Sequence, residues 1–314
     1  MYTTPNTQLW TGRLDGDLPE ERRFHQVIQL QANQSVSKNK SAFSIIGFAS
    51  DEGVRRNQGR IGARKGPDAI RKQLAKLPYC LPEEAQLYDA GDVHCNNGLL
   101  EAAQRELGEK VHEQLSTHNI PIIFGGGHET FYGHYLGIRK FLGVEKKIGI
   151  INIDAHFDLR DDDIPSSGTM FRQVLERDAN AGYLCLGIQR FGNTKALFDA
   201  SAQFGCEYVL EENVRFSQIS DVFKQIDSFA KKHDFIIFTL CMDAIDASAA
   251  PGVSAPSPLG MNPKLVKVLL KYIAANEKTI SFDISEVNPE IDESEKTARL
   301  AAYLVAETLD GFCK

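Results

Sequence analysis

The sequence predicts an α/β fold: a single three-layer α/β/α domain around a mainly parallel, doubly wound sheet. Three observations lead there. Short apolar runs rich in Ile, Val and Phe recur along the chain, amphipathic stretches with apolar residues three and four apart separate them, and no long Pro/Ser/Gly linker or internal repeat divides residues 42–314. The 314 residues, 42% hydrophobic and 25% charged, have the composition of an ordinary globular protein with ample length for a core.

Residues 1–41 are more polar and read as an N-terminal arm, with QSVSKNKS (34–41) an exposed connection into the first strand, AFSIIGFA (42–49). PDAIRKQLAKL (67–77) and EAAQRELGEKVHEQLSTH (101–118) have helical spacing, IPIIFG (120–125) is the next strand, and HETFYGHYLGIRKFL (128–142) the next helix. KIGIINI (147–153), GYLCLGI (182–188) and CEYVL (206–210) are short enough to be buried parallel strands. The helix DVFKQIDSFAKKH (221–233) precedes the strand DFIIFTLC (234–241), and the helix NPKLVKVLLKYIAA (262–275) precedes the strand TISFDI (279–284). A final helix, roughly DESEKTARLAAYLVAETLDGF, closes the domain at 42–314.

The formal net charge of −7 argues against an overall electrostatic grip on nucleic acid or anionic lipid. No run approaches the roughly 18 apolar residues of a membrane span, and MYTTPNTQLWTGRLDGD lacks a basic segment followed by an apolar one, so a cytoplasmic protein is expected. The six cysteines form no CxxC pair, which excludes a zinc ribbon and gives no disulfide framework. Small-molecule chemistry is the default.

In an open parallel sheet, ligands bind beyond the carboxyl ends of the strands. IPIIF is followed by GGGHET, which places His128 behind three glycines; KIGIINI by DAHFD, with Asp154, His156 and Asp158; and DFIIFTL by CMDAID, with Cys241 and Asp243. Alternate residues of extended chain share a face, so DAHFD offers two carboxylates and an imidazole to one point. Crowded carboxylates repel unless a cation or shared proton neutralises them. Helix-capping aspartates with a buried histidine are the competing account of DAHFD, a small buried hydrophobe that of Cys241, and a tight turn that of the glycines. Three aspartates and a thiolate supply four negative charges, which two divalent cations balance, with one histidine for each cation. Such a pair lowers the pKa of a shared water and supplies a hydrolytic nucleophile without an activated serine.

GGGHE, DAHFD, CMDAIDASAAPG and SFDISEVNP stand in the order of the hallmarks of the ureohydrolases, the arginase and agmatinase superfamily of binuclear manganese enzymes. The chain resembles that family from about residue 44 to its C terminus. The strings SDEGVRRNQGRIGARKGPDAIR (50–71), DAHFDLR (154–160), SSGTMFRQ (166–173) and APGVSAP (250–256) are most similar to the branch that hydrolyses N-formimidoyl-L-glutamate to L-glutamate and formamide in histidine degradation. The resemblance implies an arginase-like fold, two manganese(II) ions, a small-molecule substrate and a homo-oligomer, commonly a trimer or hexamer. It implies His128, Asp154, His156, Asp158 and Asp243 as metal ligands, with Glu286 gripping the amidine; Asp158 is expected to move the proton, with Glu286 or water as the alternatives. Cys241 stands where the superfamily has Asp; as a sixth ligand, its softer thiolate leaves zinc or another divalent metal open. Ser167 and Phe171 replace the histidines by which agmatinases and arginases are marked.

A substrate with two carboxylates calls for arginines, and Arg60, Arg172 and Arg190 are the expected ones, supported by Asn57. Hydrolysis of arginine, agmatine or guanidinobutyrate is the rival within the reaction class. A metal-free relative that keeps the fold for binding is the rival outside it. The remaining histidines, His134 among them, read as surface or helix residues.

Overall fold

The Ile-, Val- and Phe-rich runs form a sheet because they are apolar on both faces and need cover on both. The computed structural model describes residues 1–16, 18–30 and 42–314; the expected connection at 34–41 lies outside them. Among the described residues the strands are β1 (Tyr2–Thr3), β2 (Gln29–Leu30), β3 (Ala42–Ala49), β4 (Gln86–His94), β5 (Ile120–Phe124), β6 (Ile148–Ile153), β7 (Ala181–Ile188), β8 (Glu207–Leu210), β9 (Phe235–Cys241) and β10 (Thr279–Ser285). They form one sheet in the order β1-β4-β3-β5-β10-β9-β6-β7-β8, with β2 also on β4. Only the β1–β4 pair is antiparallel.

Period-2 alternation divides each central strand between two cores. Ile122 and Phe124 of β5 and Ile151 and Ile153 of β6 pack under the helices Gly66–Leu74, Pro263–Ala274 and Lys296–Phe312. Ile123, Ile148 and Ile150 point the other way, under the helices Leu100–Ser116, Thr130–Leu142 and Met170–Arg177. These are the three expected layers.

Sequence reasoning missed β4 and the helices Glu52–Arg56, Met170–Arg177 and Lys195–Gln203. The strand was hidden by its polar residues, QLYDAGDVH, which the structure pairs internally. Arg71, fully buried, sends Nη2 to Asp89 Oδ1 at 2.9 Å and Nη1 to Asp92 Oδ1 at 2.6 Å, and Trp10 Nε1 donates to Asp89 Oδ2 at 2.7 Å. The described residues up to Leu30 are thereby tied to the sheet: β1 and β2 extend its edge, and Leu9 and Trp10 are buried. Arg71→Met leaves two buried carboxylates without their cation and is expected to lower stability by about 3–5 kcal/mol, read as a lower urea midpoint at unchanged m-value.

The last helix begins at Lys296, later than the pattern suggests. Ser294 (φ 52°) and Glu295 (φ 57°) take left-handed conformations, and the Asp292 carboxylate accepts from the amides of Thr297 and Ala298. Asp292 thus serves the helix start from outside it.

The sheet order places β5, β10, β9 and β6 side by side. Residues just beyond their carboxyl ends are brought together although they are separated by up to 158 positions in sequence.

Candidate metal centre

Each of these four strands ends in a turn that delivers a side chain. After β5, Gly125–Gly127 carry the chain to His128. None of the three glycines has positive φ, so a left-handed turn is not their role. A Cβ on Gly126 would lie 1.7 Å from Ser50 O, so that glycine permits a close backbone crossing. Glu129 secures that crossing: its Oε1 accepts from Ser50 Oγ at 3.0 Å and from Gly53 N at 2.9 Å.

After β6, DAHFD is not extended, and the expected alternation is not what gathers its side chains. The strand stops at Ile153 and the chain bends, with Asp158 at φ 49°. Asp154 Oδ1 accepts from His156 N at 2.8 Å and Oδ2 from Asn152 Nδ2 at 3.1 Å, so the carboxylate is oriented before any ligand arrives. His128 Nδ1 lies 3.0 Å from Asp154 Oδ2 and 3.1 Å from Asp158 Oδ2. His156 Nδ1 lies 3.6 Å from Asp154 Oδ1 and 3.3 Å from Asp243 Oδ2. Cys241 ends β9, and Asp243 sits in the short turn Met242–Ala244 that follows.

Donor atoms of His128, Asp154 and Cys241 lie within 4.8 Å of one another, as do those of Asp154, His156 and Asp243. Asp154 belongs to both groups. Five of the six expected ligand residues therefore form two overlapping sets of N, O and S donors, and the sixth, Asp158, lies beside them against His128 Nδ1.

Crowding governs the charges. Burial, then the Asp154 charge, pushes Asp158 up to about 6; burial likewise raises Asp243 and, far more, the Cys241 thiol. For Asp154, burial opposes ionisation, but His128 and His156 outweigh it and hold the group below the usual carboxylate range. Burial disfavours charge on both imidazoles, yet the carboxylates raise them well above the ordinary histidine value. Asp243 Oδ1 is buried with no hydrogen-bond partner. Converging carboxylates, two imidazoles and an orphaned oxygen fit a pair of divalent cations.

Glu286, just past β10, stands at φ 71°; its amide donates to Gly126 O at 2.7 Å. Its Oε1 accepts from His128 N at 3.0 Å, whereas Oε2 has no partner. Burial, then the charges of Asp243 and Glu129, raises it to about 8. Glu286 lines a cavity of about 720 Å³ together with His128, His156, Asp158, Cys241 and Asp243. Phe171, fully buried, packs edge-on against His128 at 5.6 Å and stacks on Tyr183 at 4.4 Å, so it shapes the imidazole's surroundings without a proton to exchange.

Of the expected substrate-binding residues, Arg172 and Asn57 line the cavity, with Asn57 Nδ2 donating to Ser167 Oγ at 3.3 Å. Arg60 and Arg190 are not among its lining residues. Arg60 is spent on backbone, Nε to Ser254 O and Nη2 to Val253 O, while the Arg190 side chain is 68% exposed and 3.9 Å from Glu212. Arg160, which ends the DAHFDLR string, was overlooked and does line the cavity, as does Thr194 at the start of the unpredicted helix Lys195–Gln203.

Residues 41–310 match the sequence profile of the Arginase family. The chain is 52% identical over 316 residues to a formimidoylglutamase of Geobacillus sp. (strain WCH70), covering 99% of this chain and 97% of that one. Trypanosoma cruzi formiminoglutamase, solved with Mn2+, superposes with a TM-score of 0.79 at 27% identity, covering 90% of this chain and 97% of that one. Bacillus subtilis formimidoylglutamase, at 24% identity and 95% coverage of both chains, shares the fold with a TM-score of 0.81. The order of strands, the strand-end donors and these likenesses agree: the chain belongs to the arginase family.

Proposed function

We propose that the protein hydrolyses N-formimidoyl-L-glutamate to L-glutamate and formamide, with manganese the first candidate for its two cations. The observation that carries this reading is the pair of donor sets sharing Asp154, set in one cavity with the half-free carboxylate of Glu286. The formimidoylglutamase from Geobacillus supplies the substrate. His128, Asp154, Asp158 and Cys241 would hold one cation and Asp154, His156 and Asp243 the other. When bound, such a pair lowers the pKa of a shared water to near neutrality and polarises the carbon under attack.

The chain's own groups do the rest. Glu286 Oε2 accepts N–H from the planar amidine while Oε1 remains on His128 N, which fixes the orientation of the formimidoyl carbon. Water adds to that carbon, and its C–N bond to the glutamate nitrogen then breaks. Phe171 moves no proton, so a carboxylate oxygen of Asp158 takes one up and returns it to the departing nitrogen, which leaves as a neutral amine.

The substrate's carboxylates require cations, and the cavity has two that are internally neutralised. Arg172 Nη2 pairs with Asp161 Oδ2 at 2.9 Å, its Nε with Glu176 Oε1 at 2.7 Å, and Arg160 Nε with Asp162 Oδ2 at 2.8 Å. Substrate carboxylates take the places of Asp161 and Asp162. Arg172→Gln is expected to raise KM about tenfold or more with little change in kcat. Asp161→Asn, which removes a competing surface carboxylate, is expected to lower KM by up to about fivefold. Steady-state kinetics on both variants checks the pair of opposite shifts.

The reading as a whole is tested by turnover of formimidoylglutamate, arginine, agmatine and guanidinobutyrate by manganese-loaded protein, with formamide or urea identified. Formamide from formimidoylglutamate, lost on chelation and restored by Mn2+, is expected. Release of urea from a guanidino compound as the fastest reaction would replace the proposal with its rival, and protein that takes up no metal would remove both.

A further inference from the structure

Behind His128, on the side of the ring away from the carboxylates, lies a second line of polar groups. His128 Nε2 is 3.1 Å from Thr239 Oγ1, which donates to Asp283 Oδ1 at 2.6 Å. Asp283 Oδ2 faces His134 Nδ1 at 2.7 Å, and His134 Nε2 faces Ser281 Oγ at 2.6 Å. Thr239, Ser281, Asp283 and His134 are all fully buried. The placement follows from the fold: Thr239 and Asp283 are register partners on β9 and β10, and His134 descends onto β10 from the helix Thr130–Leu142. Of the two readings the sequence allowed, His134 is thus a helix residue and not a surface one, and it is buried between two polar partners. Its own Nδ1–H donates to Asp283, since a carboxylate oxygen accepts.

The direction of these bonds decides where the His128 proton sits. A threonine hydroxyl has one hydrogen, and Thr239 gives it to Asp283. Toward His128 its oxygen can only accept, so Nε2 carries the hydrogen. That leaves Nδ1, the nitrogen beside Asp154 and Asp158, as the one whose lone pair is available to a cation. Partners on the outer nitrogen of a metal-binding histidine commonly fix its tautomer and ring orientation, and their loss costs about 10–100-fold in metal affinity. We infer that Thr239, held by Asp283 and His134, is a positioning residue that keeps the proton of His128 on Nε2 and presents Nδ1 to the cation site. The inference rests on His128 being a metal ligand, as proposed above.

Two measurements on the full chain test it. The first is Mn2+ binding to chelator-stripped protein, read from free Mn2+ by electron paramagnetic resonance. Thr239→Val, which replaces the hydroxyl with a methyl, is expected to weaken binding about 10–100-fold; Thr239→Ser, which restores the hydroxyl, is expected to bind within about threefold of the parent. The second is 15N NMR of selectively labelled histidine, in metal-free protein and after addition of diamagnetic Zn2+. A slowly exchanging hydrogen on His128 Nε2 is expected in both states, and its fast exchange in Thr239→Val. Parent-like Mn2+ affinity in Thr239→Val, or a bare Nε2 in the parent chain, would overturn the inference; the latter needs no folded variant. Parent protein that takes up neither metal yet keeps the Nε2 hydrogen removes the metal reading while sustaining the tautomer assignment, so the two failures are distinct.

Discussion

Asp154→Asn is expected to abolish both cation sites and to lower turnover by about 10³-fold or more. Lewis-acid stabilisation contributes several kcal/mol to a hydrolytic barrier, and about 1.4 kcal/mol is a factor of ten. The variant is singled out by geometry. Asp154 alone belongs to both donor sets, its Oδ1 3.6 Å from His156 Nδ1 and its Oδ2 3.0 Å from His128 Nδ1. It is also fully buried and held by the His156 amide and Asn152, so no neighbouring group swings in to replace it. Asn keeps the shape and one acceptor oxygen but removes the charge shared between the sets. Asp243→Asn affects only the set containing His156, so it is expected to retain about one metal equivalent where Asp154→Asn retains none. Elemental analysis of stripped and reloaded protein, alongside turnover, reads the contrast. Two tightly held equivalents in Asp154→Asn would sink the shared-ligand assignment.

The convergence of the candidate ligand residues was legible because they follow apolar strands directly, and strand ends in a parallel sheet converge whatever the intervening chain does. His128, Asp154 and Asp243 needed only that rule. The local path was not legible: DAHFD gathers its side chains by a bend with Asp158 at φ 49°, where period-2 extension was expected. Residues whose partners lie far away in sequence were misjudged for the same reason. Asp89 and Asp92 kept β4 from standing out as an apolar run, because their counter-ion, Arg71, lies on a preceding helix. His134 reads from the sequence as a surface or helix residue, with no sign of burial, because Asp283, its partner, is 149 positions distant. The arginines show the limit most plainly: Arg60, Arg172 and Arg190 look alike on paper, and only the surroundings put Arg172 at the cavity and Arg60 on the backbone oxygens of Val253 and Ser254. Arg160 was inside a quoted motif, directly after DAHFDL, and that adjacency was the available signal.

Glu286→Gln is expected to keep its metal content yet lose at least about 10²-fold in kcat/KM, which separates substrate orientation from cation binding. Glutamine fits the same space, and its Oε1 retains the bond from His128 N seen at 3.0 Å, so the turn after β10 keeps its anchor. At the other oxygen the chemistry inverts. Oε2, which has no partner and is free to accept amidine N–H, becomes an NH2 group that can only donate. Two donors then face each other, and a charge-assisted bond worth about 1.5–3 kcal/mol is replaced by an unpaired buried donor costing about 1–3 kcal/mol more. Because the amidine is gripped throughout the reaction, both KM and kcat are expected to worsen, whereas Arg172→Gln, acting on the distant carboxylates, shifts KM almost alone. A Glu286→Gln protein with two metal equivalents and parent kcat/KM would show that the amidine is oriented elsewhere. Loss of metal in that variant would place Glu286 among the groups that hold the cations, a role its 3.0 Å bond to the His128 amide does not require.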